Sequence, residues 1–213
     1  MNDFVSWFLG GSSSAIWVRA GLAVLVLVVM AAVDIVRRGR EATRWKDYVF
    51  LAASTAAAVA FAIGNDMVTS TISPLYFECH EELTKSCANV HLLAVLVAAR
   101  GSWWVGLVLG VALLMMNNPR KTLPQLPWRR MYGKLLYPLV LAAVGSTAMG
   151  LLSWTGVISL PGDLNRAVAD AREFNAVFAS HSGAYVGGVV GAILAAVQVI
   201  RQRKKARTLA EGT

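Results

Sequence analysis

Long apolar runs alternate along this sequence with short clusters of Lys and Arg, and the clusters fix how the runs must lie. Fifteen of the twenty Lys and Arg residues fall within Arg37 to Lys46, Arg120 to Lys134 and Arg201 to Arg207. Each cluster closes or separates runs of roughly the 18 to 20 apolar residues needed to cross about 30 Å of hydrocarbon. Cytoplasmic loops collect Lys and Arg. Five spans, with the N-terminus outside and the C-terminus in the cytoplasm, put all three clusters on one side; four or six would strand at least one outside. The expected fold is therefore all-α, an integral membrane bundle of about five transmembrane helices. The alternating strands of a barrel are missing from the sequence pattern.

The spans are expected at about 15–36, 48–65, 91–116, 135–160 and 176–200, within a single transmembrane domain over 1–213. A periplasmic loop is expected at 66–90 and a basic cytoplasmic tail at 201–213. The third run is the least sharply bounded, because Arg100 interrupts it and Trp103-Trp104 could mark an interface. It reads either as one long tilted helix or as a short surface helix near 88–96 feeding a span from 97. Residues 1–13 carry no Lys or Arg, and the small-residue stretch precedes the apolar run, so the first span is not read as a cleaved signal peptide.

Only 15% of the residues are charged, against about 25% in soluble domains. The formal charge of +8 would suit nucleic acid, yet the basic clusters adjoin spans, where topology and anionic lipid account for them. The expected partner is the lipid bilayer, with a homo-oligomer or larger membrane complex as the assembly, and no nucleic acid.

In lipid, close backbone approach sorts helices, because apolar side chains gain little by leaving acyl chains. Gly183, Gly187, Gly191 and Ala195 form one ridge at spacing four on the fifth span, with Gly188 in the adjacent ridge. Further small-residue faces are Ala52, Ala56, Ala60 and Gly64 on the second span, Gly106 and Gly110 on the third, and Ala142, Ser146 and Gly150 on the fourth. The bulkier first span is expected at the periphery. Cys79 and Cys87 share the outside loop, where an oxidising compartment favours a disulfide.

Ionisable groups inside spans are costly and mark function. The candidate polar cluster is Arg19, Asp66, His91, Arg100, His181 and Tyr185, all toward the outer side. It reads in three ways: ion pairs between Arg19 or Arg100 and Asp66 that set helix register, a site for an anionic solute or headgroup, or a metal site. For the last, Glu78, His80, His91 and His181 have suitable ligand chemistry but no spacing that binds two ligands to one helix face. No metal or cofactor is predicted. No catalytic motif is present, and no catalytic residue is assigned.

Ser73-Pro74-Leu75-Tyr76-Phe77, followed by the Gly/Trp-rich run Ala99 to Leu107, resembles a pattern in bacterial multi-pass inner-membrane proteins of unassigned activity. The resemblance implies a bacterial inner membrane and no particular reaction. The function expected is a small-solute or ion transport or permeation component, or an accessory subunit of such a system, rather than an enzyme. The alternatives are a membrane enzyme acting on a lipid or lipid-linked substrate, and a structural subunit with no solute site.

Overall fold

The computed structural model describes residues 13–78, 89–118, 123–159 and 171–211; at 13–17, 19, 20, 40 and 171 it describes the backbone alone. Every regular element among the described residues is helical. In chain order these are α1 (Ser13–Arg38), a 3-10 turn (Gly39–Glu41), α2 (Trp45–Ile72), α3 (Pro74–Glu78), α4 (Val90–Met116), α5 (Trp128–Lys134), α6 (Leu136–Trp154) and α7 (Ala171–Glu211).

Local chemistry sets the ends. Asn89 caps α4, its side chain accepting from the backbone N–H groups of His91 and Leu92, as N-terminal amides without helical partners require. Past that cap, α4 runs 27 residues unbroken through Arg100, as one long helix. Extended Ser73 ends α2, and Pro74 opens α3. Pro138 lacks an N–H and its ring crowds the carbonyl four residues back, which is that of Lys134; the helix is interrupted at Leu135, dividing α5 from α6. Gly156, at φ +79, ends α6 in a Schellman turn: Val157 N–H donates to Leu152 O at 2.9 Å and Gly156 N–H to Ser153 O at 3.0 Å.

Four helical stretches among the described residues are long and apolar enough to cross a membrane: Trp45–Ile72, Val90–Met116, Trp128–Trp154 and Arg172–Glu211. Between 17% and 22% of each apolar window is buried. The remaining apolar surface, including Val186, Val189 and Ile193 on α7, is too large for a soluble monomer and suits hydrocarbon. The chain is thus an all-α helical bundle compatible with a multi-pass membrane protein. The 26-residue α1 exposes Leu22, Val28 and Val36. It is tethered at its end, where buried Asp34 accepts from Arg44 N–H at 2.9 Å and pairs with Arg38 at 3.5 Å.

The helices form two tight pairs. In the first, α6 lies along α7, and Gly145 faces Gly183 so closely that a Cβ on Gly183 would fall 2.8 Å from Met149 Cβ. In the second, a Cβ on Gly106 of α4 would fall 2.6 Å from Ser54 O of α2. Ser54 Oγ lies 2.9 Å from both Gly106 O and Leu51 O, sharing its proton between them. The α2 face that meets α4 is therefore Leu51, Ser54, Thr55 and Ala58. The expected face of Ala52, Ala56, Ala60 and Gly64 is exposed, because Ser54 turns its own side of the helix toward Gly106 and Gly110.

The two pairs are joined near both ends. At one end a cluster of Phe50, Leu113, Leu126, Met131, Leu135, Ala195 and Val199 joins them. Beside it Arg203 is 1% exposed. Its Nε donates to Pro124 O at 2.9 Å, its Nη2 to Asn118 O at 2.7 Å and Leu123 O at 2.8 Å, and its Nη1 to Met116 O. This guanidinium fastens α7 to the carbonyls that end α4. Asn117 braces the same turn, accepting from Leu126 N–H and donating to Leu126 O. The other end carries the polar groups.

Candidate functional site

Four residues of α2, at positions 65, 66, 69 and 70, lie on one side of the helix near its last turns, as spacings of three to five require. Asp66, Thr69 and Ser70 are buried. Each reaches toward or lies beside a neighbouring helix. Ser70 Oγ lies 3.0 Å from Nδ1 of His91 on α4. Thr69 Oγ1 lies 3.4 Å, and Asp66 Oδ1 3.5 Å, from Nε2 of His181 on α7. Asn65 Oδ1 accepts from Ser146 Oγ of α6 at 2.7 Å, and Ser146 lies 2.6 Å from Ser180 Oγ of α7. Side chains of all four membrane-length stretches thus meet in one polar belt.

Counting protons gives the belt a direction. A hydroxyl has one proton to donate. Thr69 Oγ1 donates within α2 to Asn65 O at 3.1 Å and also meets Nε2 of His181. The same ring nitrogen lies beside Asp66 Oδ1. Ser146 gives its proton to Asn65, so Ser180 donates to Ser146. Asn65 Nδ2 in turn lies 3.4 Å from Asp66 Oδ1. Two routes, Ser180 to Ser146 to Asn65 and His181 directly, converge on the one carboxylate.

An aromatic lid covers His181. Tyr76 of α3 lies 4.8 Å from the imidazole centroid at a 34° tilt, Phe77 meets it edge-on at 6.1 Å, and Phe174 of α7 packs on Tyr76 at 5.5 Å. These are the aromatic residues of the Ser-Pro-Leu-Tyr-Phe stretch. Phe77 is fully buried with Leu93 and Ala94 of α4 beneath it.

Of the residues singled out from sequence, the structure brings Asp66 and His181 into contact and joins His91 to the same helix through Ser70. Tyr185 places its Oη beside Gly101 of α4, next to half-buried Arg100. Arg100 lies about 13 Å along α4 from His91. The side chain of Arg19 lies outside the described residues, as do Cys79, His80 and Cys87. Glu78 ends α3 and is exposed. Among the described residues no three His, Cys, Asp or Glu side chains gather to hold a metal. Gly183, Gly187 and Gly191 sit against the α6 backbone, whereas a Cβ on Gly188 would make ordinary contact with Ala142 at 3.9 Å.

The sequence reading passed over Asn65, Thr69, Ser70 and Ser180, and took Ser146 only as part of a packing face. For Asn65, Thr69 and Ser70 a signal was present: with Asp66 they make four polar residues on one side of the last turns of α2. It was hidden because that stretch reads as the end of a span. Comparison with known protein families, curated proteins and solved structures finds no match.

Proposed function

We propose that the chain is a small-solute or ion transport or permeation component of a bacterial inner membrane, and that Asp66 and His181 form its proton-binding site. The observation that carries this reading is the buried carboxyl of Asp66, with Nε2 of His181 on α7 at 3.5 Å and Asn65 Nδ2 at 3.4 Å, and with Ser146 of α6 donating to Asn65 behind it. A purely structural belt needs hydrogen bonds, which Asn would supply. An ionisable acid against an ionisable base at membrane depth is costly to keep, and its distinctive property is an exchangeable proton. The side of the bundle bearing Asp66 faces the periplasm, because the basic clusters lie at the opposite ends of the spans. The N-terminus is outside, α1 supplies the fifth span, and Cys79 and Cys87 lie in the oxidising compartment. Five spans are few for a complete pathway, so a second copy or a partner subunit completes it.

Catalysis by a His-centred relay is disfavoured by geometry. Such a relay uses one ring nitrogen for the acid and the other for the nucleophile, whereas Thr69 and Asp66 both face Nε2 of His181. Ser182 donates along its own helix to Phe178 O.

The test is proton flux in vesicles reconstituted with the purified protein and loaded with a pH-sensitive dye. The wild type should carry protons down an imposed gradient, and Asp66→Asn and His181→Gln should each abolish the flux while keeping the fold. Equal flux from Asp66→Asn would sink the reading, and a variant that unfolds would favour the structural alternative.

A further inference from the structure

We infer that the outer mouth of the α6–α7 pair is a binding site for a phosphate group. A cavity of about 500 Å³ opens there, within the ~300 to 1,000 Å³ range of small-ligand sites. Ser153 and Trp154 at the end of α6, Thr155 and Gly156 in the Schellman turn, and Arg172 and Asn175 at the start of α7 line it.

Its chemistry is set by Arg172. The Nε of Arg172 donates to Trp154 O at 2.8 Å, and its guanidinium lies 4.7 Å from the Trp154 ring centroid. One edge of the fork is thereby pinned to backbone and one face to an indole. Among the described residues the two terminal nitrogens have no hydrogen-bond partner. A planar fork with donors free matches the oxygens of a phosphate, which it binds through paired charge-assisted hydrogen bonds. Asn175 and the buried Ser153 also line the cavity. Those groups extend recognition beyond a single charge.

The site lies about 9 Å above the belt, counting the six residues from Asn175 to His181 at 1.5 Å each. It is independent of the proton reading, because binding is measured at equilibrium without flux.

The experiment measures inorganic phosphate binding to the detergent-solubilised full chain by calorimetry, and retention of phosphatidylglycerol by native mass spectrometry. Arg172→Gln should weaken binding by about tenfold or more. Arg172→Lys, which keeps charge without the fork, should fall between. Asn175→Asp, which adds a negative charge to the wall, should also weaken it. Arg207→Gln, whose guanidinium is paired with Glu211 at the far end of α7, should change nothing. Arg172-dependent binding of inorganic phosphate identifies a soluble ligand; Arg172-dependent retention of phosphatidylglycerol alone identifies a headgroup. Either supports the site. Failure of both probes to bind, or binding indifferent to Arg172→Gln in a folded protein, overturns it.

Discussion

His181 of α7 and Asp66 of α2 stand 3.5 Å apart, and they belong to different helix pairs. The Arg203 clamp fastens the same two pairs at the opposite end. Changing the proton content of the Asp66–His181 pair therefore acts where the two halves of the bundle join.

The α6–α7 interface sets a sharp contrast between two neighbouring glycines. Gly183→Val should cost about 3 kcal/mol, because the added atoms must displace Met149 and the Gly145 backbone. Gly188→Ala should be nearly neutral, since its Cβ would meet only Ala142 at van der Waals distance. Thermal unfolding in detergent reads both, and equal shifts would contradict the helix register described here.

Arg203 should behave as a clamp rather than as one more surface cation. Its removal leaves four carbonyls at the end of α4 and in the following turn without their donor. Arg203→Ala should cost about 3 kcal/mol, and Arg203→Lys should recover only part, having a compact ammonium in place of the fork. The neighbouring exposed Lys204→Ala and Lys205→Ala should change stability by less than about 0.5 kcal/mol. Proteolysis of the segment between α4 and α5 in each variant gives an independent readout.

These contrasts show what the sequence could reveal. Helix content and the four long apolar helices follow from run length and composition, which the bilayer reads directly. The α7 glycine ridge was legible because a spacing of four lies on one helix face. Arg203 was not, since nothing in Arg201-Gln202-Arg203-Lys204-Lys205 distinguishes the one cation that is buried. The belt was half legible: Asp66 and His181 stood out as charges in apolar runs, whereas Ser146 and Ser180 are unremarkable hydroxyls until α6 and α7 are laid together. The α2 face was misjudged because small residues show where a neighbour can approach, and Ser54 shows where it does.

The periplasmic placement has its own check. Cys79 and Cys87 are proposed to be bonded, so protein purified without reductant should take up no thiol-alkylating reagent until reduced, and then take up two. Alkylation of the unreduced, folded protein would remove the disulfide from the account.

Within the belt, Ser146→Ala should cost little stability, about 0.6 kcal/mol as for other hydrogen bonds between membrane helices. It removes the donor to Asn65 Oδ1, and Asn65 orients Asp66 without itself carrying a proton. Proton flux should fall by no more than a few fold, because His181 still faces the carboxylate. Complete loss of flux in a stable Ser146→Ala protein would contradict His181 as the proton partner of Asp66.

An exchangeable proton on Asp66 is read by difference infrared spectroscopy of the protein in lipid. A protonated-carboxyl stretch should appear and disappear with pH while the fold is retained, and should be missing in Asp66→Asn. A spectrum with no titrating carboxyl assignable to Asp66, over the whole pH range in which the bundle stays folded, would contradict it.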